Sequence, residues 1–232
     1  MNASEISTAS AHSELNRIAA AFAPFASLAG TLLPHVVDDA GDGSHDLSHL
    51  VRVWNNARRI HAQEGGDLRV LLAAVLLHDC VRVEKNSPLR SQASRLSAQR
   101  TQQILQAQGW SDDECARVAH AVEAHSFSAG IAPLSLEAKI IQDADRLDAI
   151  GAIGVARCFY VAGRMGSGLY DAADPLAQDR ALDDKRYALD HFPAKLLRLA
   201  SGFQTVAGAA MAARRQSAME QFMAVLSEEI VG

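Results

Sequence analysis

Cysteine is scarce in this sequence: Cys80, Cys115 and Cys158 are the only three, widely spaced and without a CxxC pair. An odd, scattered set does not make a disulfide framework, and it predicts a reducing, cytoplasmic setting. A basic tail and runs of like charge are also missing, and the net charge is −5 with a pI near 6.0. That balance argues against a nucleic-acid coat and against a polybasic membrane patch, so neither nucleic acid nor membrane is expected as a partner. No stretch alternates apolar and polar residues as a half-buried strand does. Internal repeats, low-complexity tracts and domain-dividing linkers are absent as well.

What is present is an ordinary globular composition, 49% hydrophobic and 21% charged over 232 residues. That length suffices for one well-buried core, or at most two small domains. The first twelve residues, MNASEISTASAH, are small and polar and are expected to be flexible. Residues 13–232 are read as one all-α domain, a helical bundle with C-terminal helices. Ile18 to Val37 carries no full charge and is long enough to span a bilayer. It is rich in Ala, contains Pro24 and Pro34, and has only Arg17 as a basic flank, so it predicts a packed N-terminal helix and a turn.

Apolar residues recur at steps of three and four almost throughout, which predicts helices. One should run from about Asp46 to Glu64, capped by Ser44 and stopped at Gly65-Gly66. Asp67 should cap the next, LRVLLAAVLLHDC, which is apolar all round from Val70 to Leu77 and therefore central to the core. A third spans about Ser91 to Gln108, with Gly109 as its stop. A fourth begins at a capping box, Ser111 with Glu114, and runs to about His125. Pro133 and Ser135 open a fifth through Asp148, with a restart near Gly151. Gly163 to Pro175 reads as a loop. Helices over about Pro175 to Leu199 and Phe203 to Ile230 complete the chain, the last with a stripe of Met219, Phe222, Leu226 and Ile230.

Three features of this scaffold carry chemistry. His78-Asp79 ends the most apolar helix, where polar and ionised groups are costly unless paired or bound to metal. His45 and His49 lie one helical turn apart and compete for one face. Asp143, Asp145 and Asp148 place three carboxylates within six residues, and such acids repel one another unless a cation is near. Cys80, directly after the His-Asp pair, has no base beside it that would make it a nucleophile, and reads as a small buried residue.

A histidine, a His-Asp pair and a distant aspartate together resemble the HD superfamily of metal-dependent phosphohydrolases. The match is His49, His78-Asp79 and Asp145, with gaps of 29 and 66 residues. The flanks HLVRVWNNA, AAVLLHD and DADRLDAIGAIG fit, and the late segment His191-Phe192-Pro193-Ala194-Lys195-Leu196-Leu197 is similar to an HFxxKLL signature in a bacterial branch of the family. The resemblance implies a single HD-type helical bundle and a metal held by His49, His78, Asp79 and Asp145. Two imidazoles and two carboxylates suit one divalent ion, Mn²⁺ or Mg²⁺ first, with Fe²⁺, Co²⁺, Ni²⁺ or Zn²⁺ able to substitute. His120 and His125 are the candidates for a second metal. Asp79, Asp148 and Glu123 are the candidate catalytic residues, the last two as general acids. Asp46 and Asp143 would orient the histidines.

A phosphate substrate needs cations, and the run VRVEKNSPLRSQASRLSAQR after the pair is rich in them. Lys85, Arg90 and Arg95 are the expected substrate contacts, helped by free N–H groups at a helix start near Ser91. His191 and Lys195 lie one turn apart and are the others. Arg52 and Arg146 flank metal ligands and read as phosphate contacts or as structural ion pairs. The number of cations suggests a nucleotide carrying more than one phosphate, so the expected reaction is a (d)NTP cut to (d)NMP and pyrophosphate. Nucleoside monophosphate dephosphorylation, cyclic-nucleotide or alarmone phosphodiesterase activity, and a non-catalytic binding module are the alternatives. A monomer or homodimer is expected.

Overall fold

In the computed structural model of the chain, which describes residues 15–36, 47–83 and 87–231, helices carry nearly all regular structure and no strand forms among the described residues. The principal helices are α1 (Ala26–Leu32), α2 (Leu47–Glu64), α3 (Leu68–Leu77), α4 (Ala93–Ala107), α5 (Asp112–Ala124), α6 (Leu136–Asp148), α7 (Gly151–Met165), the single turn α8 (His191–Ala194) and α9 (Val206–Val231). The expected flexible N-terminus, the cap at Ser44, and His45, Asp46 and Lys85 lie outside the described residues. The chain divides into two compact units, Met1–Ala144 and Asp145–Gly232, and the division falls inside α6.

The first unit is built around α3. Every residue from Val70 to Leu77 is buried, as an all-round apolar helix requires. Asp67 caps it, its side chain accepting from the N–H groups of Arg69 (2.9 Å) and Val70 (3.3 Å). The turn before it needs two residues at positive φ, Gly65 (82°) and Gly66 (102°), which glycine alone adopts without strain. Against α3 pack α1, α2, α4 and α5. The capping box at Ser111 and Glu114 is present, and Gly109 ends α4.

The N-terminal segment is not one helix. It is broken into short pieces around Pro24 and Pro34, and Phe22 and Phe25 set their rings 6.5 Å from Trp54 of α2. None of the described helices is long and apolar enough to cross a membrane.

In the second unit, α7 packs against α9, and Phe159, Phe192 and Phe222 form a ring cluster. The helix expected over Pro175 to Leu199 does not form. Only the turn α8 and a 3-10 turn, Leu196–Arg198, appear there. Aspartates explain the difference, because their side chains compete for backbone N–H groups. Asp171 accepts from Ala173 and Asp174, Asp174 from Gln178 and Asp179, and Asp190 from Asp183. Arg180 joins the segment together, donating to both oxygens of buried Asp190 (2.5 and 2.8 Å) and lying over the ring of Tyr187. Tyr187 in turn donates its hydroxyl to Asp171 at 2.6 Å.

Candidate metal centre

His78 is the C-cap of α3 and is fully buried. Its Nδ1 donates to the Val75 carbonyl at 2.7 Å, which leaves Nε2 as the ring's lone-pair nitrogen. His49, buried on α2, brings its own Nε2 to 3.3 Å from that atom. Asp79 follows, with its carboxylate 3.7 Å from His78 and a side chain 46% exposed, so it forms the open wall of the cluster.

His125 completes the group in the first unit. It is the C-cap of α5, buried, and its Nδ1 also donates three residues back, to Val122 at 2.6 Å. Its Nε2 lies 3.6 Å from Asp79, and its ring centre is 4.9 Å from that of His78. His78, Asp79 and His125 offer ligand atoms within 4.8 Å of one another. His120, the other histidine considered for a second metal, spends its Nε2 as acceptor of the Leu134 N–H at 3.0 Å. It caps a loop.

Two amides that no sequence motif singles out tie the helices beside these ligands. Gln142 donates to the carbonyl of Ala124, next to His125, at 2.8 Å. Asn56 of α2 donates to the carbonyl of Ala144 at 3.0 Å. Asp143 is fully buried on the same helix. Asp145, half-buried, is the next residue of α6 after Ala144 and the first of the second unit.

The cations of the expected phosphate loop are partly committed. Arg90 donates to the carbonyl of Val83 at 3.0 Å. Arg95, 59% exposed, faces Glu123 at 3.4 Å. Arg100 reaches Gln103. The expected free N–H groups near Ser91 are largely used. A 3-10 turn, Arg90–Gln92, precedes α4, and the N–H groups of Arg90, Gln92 and Ala93 donate to Ser87, Leu89 and Arg90 respectively.

In the second unit, Asp148 is fully buried and holds Arg157 at 3.2 Å. Arg146 donates to the carbonyls of Leu199, Ser201 and Gly202 and covers the Phe203 ring, clamping that backbone. Arg52, in the first unit, donates to Ser48. His191 pairs through Nδ1 with Asp184 at 2.9 Å, and Lys195 follows one turn later, its N–H bonded to the His191 carbonyl.

Cys80 is not set up for nucleophilic work: burial pushes its thiol up, and its sulfur sits 3.6 Å from the Ser97 carbonyl. Burial likewise pushes Cys158 up to about 11.

Fold and cluster together define an all-helical protein with a buried His/Asp group able to hold a divalent ion. The chain belongs to the HD superfamily of hydrolases. The HD domain family matches residues 46–150. YpgQ of Bacillus subtilis (strain 168) is 35% identical over 206 residues, 87% of this chain and 92% of that protein. The crystal structure of Bacillus subtilis YpgQ in complex with ADP is similar with a TM-score of 0.65 at 34% identity, covering 87% of this chain and 92% of that one. An HD-superfamily hydrolase from Bacillus thuringiensis has a TM-score of 0.68 at 31% identity, covering 88% of this chain and 96% of that one.

Proposed function

We propose that this chain hydrolyses nucleoside or deoxynucleoside triphosphates to monophosphate and pyrophosphate with the help of one divalent ion. The observation that carries the reading is the Nε2-to-Nε2 approach of His49 and His78 at 3.3 Å. Two imidazole nitrogens in a buried place face each other, one held in the lone-pair tautomer by a backbone carbonyl. That is ligand chemistry, and Asp79 adds an oxygen donor. Asp145 is proposed as the fourth ligand, supported by the HD pattern. Mn²⁺ or Mg²⁺ is the favoured ion. What a bound ion supplies there is Lewis acidity toward a water and a phosphoryl oxygen.

The chain's own residues do the rest. Exposed Arg95 offers its guanidinium to a phosphate, in competition with Glu123. Arg90 and Lys85 are proposed on the same loop. Glu123 is the proposed general acid, protonating the departing oxygen, because its side chain is 36% exposed whereas Asp148 is buried against Arg157. His191, whose Nδ1 donates to Asp184, and Lys195 remain proposed substrate contacts. The ADP in the Bacillus subtilis YpgQ complex supports a nucleotide as ligand. The three free cysteines support a cytoplasmic setting.

A second ion is the other reading with an observation of its own. His125 and Asp79 at 3.6 Å would hold it.

The test is a metal-supplemented screen of nucleoside mono-, di- and triphosphates that separates phosphate from pyrophosphate as product. Pyrophosphate from a triphosphate supports the reading, and its loss in Asp79→Ala assigns it to this centre. Phosphate from monophosphates moves the assignment to a phosphatase. Turnover undiminished in Asp79→Ala sinks the metal centre, and no turnover with any ion leaves a binding module.

A further inference from the structure

A carboxylate reaches only where its backbone lets it, and the backbone after Asp79 is held from α4. The Val81 N–H donates to Ser97 Oγ at 3.3 Å. Cys80 lies between, its Sγ 3.6 Å from the Ser97 carbonyl and 3.9 Å from Thr101 Oγ1. On the other side, the Cys80 N–H closes the last turn of α3 on the Leu77 carbonyl at 3.2 Å. Asp79 is thus the one residue between His78, fixed to the core, and a pair fixed to α4.

The face of α4 that does this is polar although buried. Ser94, Ser97 and Thr101 recur on successive turns and are each nine-tenths buried or more. A buried hydroxyl is costly unless it bonds something. Ser97 satisfies that condition by receiving the Val81 N–H, whereas Ser94 Oγ finds no partner among the described residues.

We propose that Ser97 is a positioning residue for Asp79: by anchoring residues 80–81 to α4 it sets where the carboxylate stands relative to His78 and His125. The proposal rests on the metal-centre reading above.

Calorimetric titration of the full-length protein with Mn²⁺ tests it, with thermal melts in the absence of metal alongside. Ser97→Ala weakens Mn²⁺ binding on the order of tenfold, as loss of a group that orients a ligand does. Ser97→Cys keeps the side chain's shape with a poorer acceptor, and falls between. Ser94→Ala removes an equally buried hydroxyl from the same helix face, and leaves the affinity unchanged. Wild-type affinity in both Ser97 variants overturns the proposal. So does an equal loss in Ser94→Ala, which would mark a general loosening of α4. A wild-type chain that binds no Mn²⁺ overturns the metal-centre reading itself and the proposal with it, so the two failures are told apart by the wild-type titration.

Discussion

His78 and His125 end different helices in the same way: each ring gives its Nδ1 hydrogen to the carbonyl three residues back, at 2.7 and 2.6 Å. Each therefore presents Nε2 toward Asp79 with its orientation set by its own helix. Orientation by a neighbouring acceptor is what makes an imidazole a good ligand. Replacing His78 by Ala should abolish tight Mn²⁺ binding. Replacing His125 by Ala should leave one ion bound per chain and remove any second. Metal content after dialysis, read with calorimetric stoichiometry, checks both; an unchanged profile for His125→Ala would exclude it as a ligand.

The pair Arg95–Glu123 bridges α4 and α5 with both side chains at the surface. Exposed pairs contribute about 0–1 kcal/mol, so Arg95→Ala should barely move the melting temperature. Its effect should fall on the substrate: KM for a triphosphate rises while kcat changes less. Steady-state kinetics on triphosphate and monophosphate substrates would expose the opposite pattern, a fall in kcat alone, as evidence against phosphate binding by Arg95.

Acid should weaken the segment between α7 and α8. The Tyr187 hydroxyl, helped by the N–H groups of Ala173 and Asp174, holds the Asp171 carboxyl down to about 2. The Arg180 guanidinium holds Asp190 down, and backbone N–H groups hold Asp174 down. A carboxyl depressed in the folded state contributes stability that is present above its unfolded value, about 3.9, and is lost as pH falls toward the folded one. The window is therefore about pH 4 to 2. In Tyr187→Phe the melting temperature should drop near neutrality and converge with wild type as pH falls through that window. A gap that stays constant would show that the hydroxyl bond to Asp171 is not the cause.

Asp67 caps the helix that delivers His78 and also faces Arg117 at 3.3 Å. Asp67→Ala should cost about 0.5–2 kcal/mol, the usual range for a lost N-cap. Urea unfolding followed by far-UV circular dichroism measures it, and a wild-type midpoint would refute the importance of the cap.

The residues that announced themselves in the sequence were those whose role is local. The apolar run of α3, the Asp67 cap, the Ser111–Glu114 box and the Gly109 stop are each decided within a few residues, and each is found in the structure. The His78-Asp79 pair is conspicuous because it ends an apolar helix with two polar groups. What could not be read depends on partners distant in the chain. Nothing near Asn56 or Gln142 reveals the carbonyls they hold on Ala144 and Ala124. The expected helix from Pro175 failed because Asp171, Asp174, Asp183 and Asp190 act as caps and as anchors for Arg180, a choice set by tertiary contacts. The buried polar face of α4 carries one signal in the sequence, its recurrence at three- and four-residue steps through Ser94, Ser97 and Thr101.

Burial of α3 on every side has a further consequence for how such a centre could be retuned. With no solvent-facing side, the helix has no direction in which to slide or swell, so His78 is as immobile as the core itself. An altered metal preference or substrate cannot come from shifting that ring without rebuilding its surroundings. Change is cheap only at the exposed rim, where Arg95 stands more than half in water. The site thus behaves as a fixed anvil with one adjustable jaw, and the jaw is where relatives with different appetites are expected to diverge.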